Sequence, residues 1–119
     1  MTEPIKVATV GDIEDEEAIV VDGETNGTGA DIAVFYSAGR YFAIDDTCTH
    51  EDASLADGWI EGEEVECPIH SARFSLCSGA ALCLPASIPV RTHKVELRGD
   101  EIWLYPGVPV AEAVTEVTP

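Results

Sequence analysis

The chain has 119 residues, with 23 acidic against 6 basic side chains and a formal net charge of −17. That length fits one domain with a modest core, and the charge excludes the cationic face a nucleic-acid binder needs. No apolar run approaches the roughly 20 residues of a membrane span, and Met1-Thr2-Glu3-Pro4-Ile5-Lys6 lacks the basic-then-apolar pattern of a secretory leader. The expectation is a soluble cytoplasmic protein, monomeric because so acidic a surface repels its own copies.

In chain order, Ile5 to Val10 alternates and predicts a first strand, followed by Gly11 and the acidic run Asp12 to Glu17, which would repel a phosphate. Ala18 to Val21 predicts a second strand, bounded by Asp22-Gly23. Glu24 to Gly29 reads as a polar loop, in which Asn26-Gly27-Thr28 matches a glycosylation acceptor by chance. Ala33 to Tyr36 and Tyr41 to Ile44 flank Ser37-Ala38-Gly39-Arg40 and predict a hairpin. Asp57-Gly58 and Glu61-Gly62 mark turns. Lys94 to Leu97 and Glu101 to Leu104 enclose Arg98-Gly99-Asp100, a second hairpin signal. Gly107 to Pro119 reads as a loose tail. Many short strands and no long helical period predict an all-β domain, sandwich or barrel-like, of antiparallel sheets over residues 1–106.

Chemistry is concentrated in two places: Cys48-Thr49-His50 and, sixteen residues on, Cys67-Pro68-Ile69-His70. Each segment brings one thiol and one imidazole. A Rieske [2Fe–2S] cluster takes two Cys on one iron and two His on the other. A Cys₂His₂ zinc site uses the same donors, though its ligands more often arrive in like pairs. A zinc-stabilised interaction module is therefore the rival reading of Cys48, His50, Cys67 and His70. Cys77 and Cys83 have no His partner and read as small buried residues. His93 reads as a partly exposed structural residue, and Trp59 and Trp103 as packing rather than electron relays. From Tyr41 to Ala72 there is no Lys or Arg, but there are nine acids: Asp45, Asp46, Glu51, Asp52, Asp57, Glu61, Glu63, Glu64 and Glu66. Such a stretch would attract basic partners.

From Cys48 to about Tyr105 the chain resembles the small bacterial Rieske-type ferredoxins of multicomponent ring-hydroxylating dioxygenases. The likeness is carried by Cys67-Pro68-Ile69-His70-Ser71-Ala72-Arg73-Phe74, Ser78-Gly79, Leu84-Pro85-Ala86 and Val95 to Leu104. It implies a Rieske-type fold with a small cluster-binding subdomain at about 46–86. It further implies one [2Fe–2S] cluster, with Cys48 and Cys67 on the inner iron and His50 and His70 on the outer. The high-potential respiratory type has an extra Cys in each ligand loop; here Ala53 and Ile69 stand in those places. Ala72 and Phe74 stand where that type has a Ser and a Tyr that donate to sulfur, while Ser71 is one place away. A low potential within the Rieske range is expected. Leu84-Pro85-Ala86 resembles the loop that covers the cluster. With no flavin or nicotinamide motif, the resemblance implies a carrier rather than an enzyme. Electrons would pass from an NAD(P)H-dependent flavoprotein reductase to a terminal oxygenase. A small subunit of an NADH-dependent nitrite reductase is the alternative within this fold.

Overall fold

β-branched and aromatic residues crowd the middle of the chain, and the strands form there. The structure, a computed structural model, describes residues 4–37, 39–47, 53–68, 73–82 and 90–108. Its strands are β1 (Ile5–Thr9), β2 (Glu17–Val21), β3 (Ile32–Ser37), β4 (Arg40–Asp45), β5 (Trp59–Glu61), β6 (Glu64–Glu66), β7 (Arg73–Ser75), β8 (Thr92–Arg98) and β9 (Glu101–Tyr105). Six of them form one antiparallel sheet in the order β1-β9-β8-β4-β3-β2, and a separate three-stranded sheet runs β5-β6-β7. Both predicted hairpins are present. Ser37 faces Arg40 across the β3–β4 turn, and Arg98 faces Glu101 across the β8–β9 turn.

Strand β3 lies between two buried clusters, one of which joins the sheets. Ile32, Ala33, Val34 and Phe35 are all fully buried, because both faces of this strand are covered. Ile32 and Val34 pack with Ile13, Val21, Ala43 and Leu104 inside the curl of the large sheet. Ala33 and Phe35 face the other way, with Phe42 and Ile44, against Leu55, Val65, Cys67, Phe74, Leu76 and Val90. The second group joins the large sheet to the small one. Each buried large apolar side chain contributes about 1.5–3 kcal/mol.

One element departs from the sequence reading. The polar stretch after Asp22 contains a helical turn, α1 (Gly23–Asn26), rather than only a loop. The Asp22 carboxylate accepts from Thr25 N–H at 2.9 Å, and Gly27 closes the turn at φ 85°. Asn26 is 2% exposed. Its amide nitrogen donates to the Val21 and Ala30 carbonyls, and its oxygen accepts from Thr28 N–H and hydroxyl. The side chain is fully engaged and has no face left for a glycan. At the other end, the chain stays attached past Tyr105, since Val108 O accepts from Lys94 N–H at 2.7 Å.

Candidate metal centre

The residues that flank 48–52, 69–72 and 83–89 gather around one group of buried residues. The first lies between Thr47 and Ser54, which pair as an isolated antiparallel bridge. Cys48 and His50 fall between these two feet, outside the described residues. Asp46, only 5% exposed, fastens the feet together. Its carboxylate accepts from Ser54 Oγ and Ala56 N–H, both at 2.9 Å, and its carbonyl accepts from Leu55 N–H at 2.7 Å. A 3-10 turn over Leu55–Asp57 follows directly.

The second segment is carried by the β6–β7 pair. Glu66 faces Arg73, so the chain leaves β6 into Cys67 and Pro68 and re-enters at β7. His70 lies between, outside the described residues. Gly58 makes this approach possible: a Cβ there would overlap the Glu66 carbonyl oxygen. The third segment, 83–89, holds Cys83 and Leu84-Pro85-Ala86 and is likewise outside the described residues. Before it, Ala81 is bridged to Phe74 and Leu82 N–H donates to Arg73 O; after it, Val90 N–H donates to Gly79 O at 2.9 Å. Gly79 sits at φ 78° with the Val90 carbonyl where a Cβ would go, so only glycine fits.

Leu55, Cys67, Phe74 and Val90 thus belong to one buried cluster, flanked by the partly buried Ala53 and Ala81. They mark the ends of all three segments. Cys67 is fully buried there. A buried thiol among apolar side chains fits an iron–sulfur centre in ligand softness and in the exclusion of water. Of the four expected ligands, Cys67 is the one among the described residues. Phe74, fully buried, presents no side-chain donor.

The electrostatics differ from the linear reading. No cation lies between Tyr41 and Ala72 along the chain, yet three arginines fold in from outside. Arg73 reaches Glu61, Glu64 and Glu66 at 3.4, 3.1 and 3.1 Å, Arg40 reaches Glu63 at 2.7 Å, and Arg91 reaches Asp45 at 3.0 Å. Asp46 is buried rather than on the surface. Asp57 is exposed on the 3-10 turn, and Glu51 and Asp52 lie outside the described residues.

His93 was expected to be partly exposed; it is fully buried. Nδ1 accepts from Gly107 N–H at 2.8 Å, so a neutral ring carries its proton on Nε2, 2.8 Å from Asp45 Oδ1. Burial raises the Asp45 carboxyl, but hydrogen bonds from His93 and Arg91, and the charge on Arg91, outweigh it and leave the group below its ordinary value. Strand periodicity shows that His93 can face inward, but not that its two partners wait there. Cys77 donates to Glu63 Oε1 at 3.1 Å. Burial pushes its thiol up, and the Glu63 bond and charge add to the shift. It therefore stays protonated at neutral pH, the less reactive form of a thiol. Trp59 is 66% exposed at the start of β5, while the Trp103 indole donates to Glu101 beneath the Arg98 guanidinium.

The family model for the Rieske [2Fe-2S] domain matches residues 3–94. The ferredoxin subunit of 3-phenylpropionate/cinnamic acid dioxygenase from Shigella boydii serotype 4 (strain Sb227) is 40% identical over 101 residues, 84% of this chain and 91% of that protein. The ferredoxin of carbazole 1,9a-dioxygenase from Nocardioides aromaticivorans IC177 superposes with a TM-score of 0.79 at 32% identity, covering 87% of this chain and 97% of that one. A chain from the complex of reduced oxygenase and oxidized ferredoxin in carbazole 1,9a-dioxygenase gives 0.80 at 29% identity, covering 89% and 94%. Among the described residues no helix is long and apolar enough to cross a membrane.

Proposed function

The chain belongs to the Rieske [2Fe–2S] domain family, and from that premise we propose that it is the soluble, cytoplasmic ferredoxin component of an aromatic-ring dioxygenase system. It takes single electrons from an NAD(P)H-dependent flavoprotein reductase and hands them to a terminal oxygenase. The observation that carries this reading is the 40% identity to a dioxygenase ferredoxin subunit over 84% of the chain. That likeness favours it over a nitrite reductase subunit, and the alternating Cys and His donors favour it over zinc. Its cofactor is one Rieske-type [2Fe–2S] cluster, and the protein is a carrier rather than a catalyst.

When bound, that cluster supplies reversible one-electron chemistry. Cys48 and Cys67 would supply its thiolate ligands, a reading that the burial of Cys67 supports. His50 and His70 would supply its imidazole ligands. Apolar side chains at the segment ends keep water from the thiolate side, and the absence of a donor on Phe74 keeps the potential low in the Rieske range. The docking face runs from the exposed Trp59 over the carboxylates of Glu61, Glu64 and Glu66. Arg73 tempers its charge, so steering by salt-screened attraction is weaker than the linear sequence implies.

The experiment is electron paramagnetic resonance on dithionite-reduced protein, with iron and acid-labile sulfide assayed on the same sample. A rhombic signal with average g below the free-electron value, and two irons with two sulfides per chain, is the expected result. A colourless protein holding one zinc would end the carrier reading.

A further inference from the structure

Asp46 does more than the surface acid expected of its neighbourhood. Its backbone N–H donates to Asp31 O at 2.9 Å, which roots it beside the start of β3. Its carboxylate Oδ1 takes two donors from the far foot of the first segment, Ser54 Oγ and Ala56 N–H. With Leu55 N–H on its carbonyl and the Thr47–Ser54 bridge, four contacts close a span whose intervening residues include Cys48 and His50.

Local capping does not account for this. Ser54 occupies the cap position of the 3-10 turn, but its side chain makes no cap hydrogen bond. The free N–H of Ala56 is met instead by a carboxylate ten residues earlier in the chain. A cap needed only for the turn could be supplied by Ser54 itself. A cap supplied by Asp46 couples the turn to the residue two places before Cys48. The turn in turn seats Leu55, which packs in the same buried group as Cys67.

We propose that Asp46 is a positioning residue for the cluster: its carboxylate ties the residues before Cys48 to Ser54 and Ala56, the far end of the span that contains Cys48 and His50, and to the turn that packs Leu55 with Cys67. This rests on the cluster reading above. The acceptor geometry is the essential property, and the charge is secondary. Asn keeps an oxygen that can accept both bonds, whereas Ala leaves Ser54 Oγ and Ala56 N–H without a partner in a poorly hydrated place.

The test uses three holo-protein variants, Asp46→Asn, Asp46→Ala and Ser54→Ala. Amide hydrogen exchange at Ala56 reports the clasp, while g-values and the rate of cluster loss to a chelator report the ligands. Losing both bonds in Asp46→Ala should speed exchange at Ala56 by roughly tenfold or more. The same variant should shift the g-values and shorten cluster retention by a comparable factor. Asp46→Asn should keep the wild-type g-values and retention to within about threefold. A merely structural role would lower the stability of Asp46→Ala and leave its g-values unmoved. Ser54→Ala removes one donor, folds without the full loss, and should fall between the two. Wild-type g-values and retention in Asp46→Ala or Ser54→Ala, with Ala56 deprotected, would overturn the proposal while leaving the carrier reading intact. Wild-type protein without iron and sulfide would instead overturn the cluster reading and this proposal with it.

Discussion

The two faces of β3 look onto two differently built interiors. On the large-sheet side, Ile32 and Val34 meet Leu104, Val21 and Ala43 under long uninterrupted strand pairings, including five residue pairs each in β2–β3 and β8–β9. On the other side, Ala33 and Phe35 meet three-residue strands, a 3-10 turn and the ends of three segments. The first interior is held by the backbone ladder and apolar area. The second depends on close approaches at Gly58 and Gly79 and on the carboxylates of Asp45 and Asp46. One half is a scaffold that folds by pattern; the other is completed by its ligand.

Removing the cluster should separate the two most sharply. In apo-protein, amides of β5, β6 and β7 should lose hydrogen-exchange protection by orders of magnitude, while those of β3, β4, β8 and β9 keep theirs. Uniform protection, or uniform loss, would break the distinction. Core truncations are next. Leu104→Ala should cost about 2–5 kcal/mol and Phe74→Ala about 3–5 kcal/mol. Denaturant melts of both, combined with cluster retention, sharpen the contrast, because Leu104→Ala should leave retention unchanged and Phe74→Ala should shorten it. Equal effects on retention would argue that the interiors act as one.

A smaller effect belongs to the seam between the halves. Asp45 has a folded value below its ordinary one of about 3.9, so its stabilising contribution is fully present above that pH and is lost as pH falls through the folded value. Asp45→Asn should cost about 1 kcal/mol at pH 7. Melts of the variant and the wild type should begin to converge as pH falls below about 4 and meet below the folded value; a constant gap would mean the His93 and Arg91 contacts to Asp45 contribute little. Smallest of all, Cys77→Ser should change stability by less than about 0.5 kcal/mol and leave the potential unmoved. A potential shift by voltammetry would place this thiol nearer the redox chemistry than its bond to Glu63 implies.

The same division governs what the sequence makes legible. The runs Ala33 to Tyr36 and Tyr41 to Ile44, and Lys94 to Leu97 and Glu101 to Leu104, are local signals, and they locate the hairpins of the large sheet to within one or two residues. The ligand spacing at Cys48, His50, Cys67 and His70 is also local, and it points to the cofactor class that the family match supports. The supports were not legible. The part played by Asp46 depends on Ser54 and Ala56 across a bridge, and that of His93 on Gly107 and Asp45, fourteen and forty-eight residues away. Charge was misleading for a related reason. The stretch without cations contains no arginine in sequence, while Arg40, Arg73 and Arg91 reach into it in space.

The small helix α1 has a consequence for the lifetime of the molecule. Asn26-Gly27 is the dipeptide at which chains most readily age, when the glycine amide nitrogen attacks the asparagine side-chain carbonyl and expels ammonia. Here that nitrogen donates to Gly23 O at 3.0 Å, and the Asn26 amide is anchored on both of its ends. Ring closure requires α1 to open first, so deamidation at this pair becomes a clock for local unfolding at the edge of the large sheet, readable as an added negative charge in stored protein.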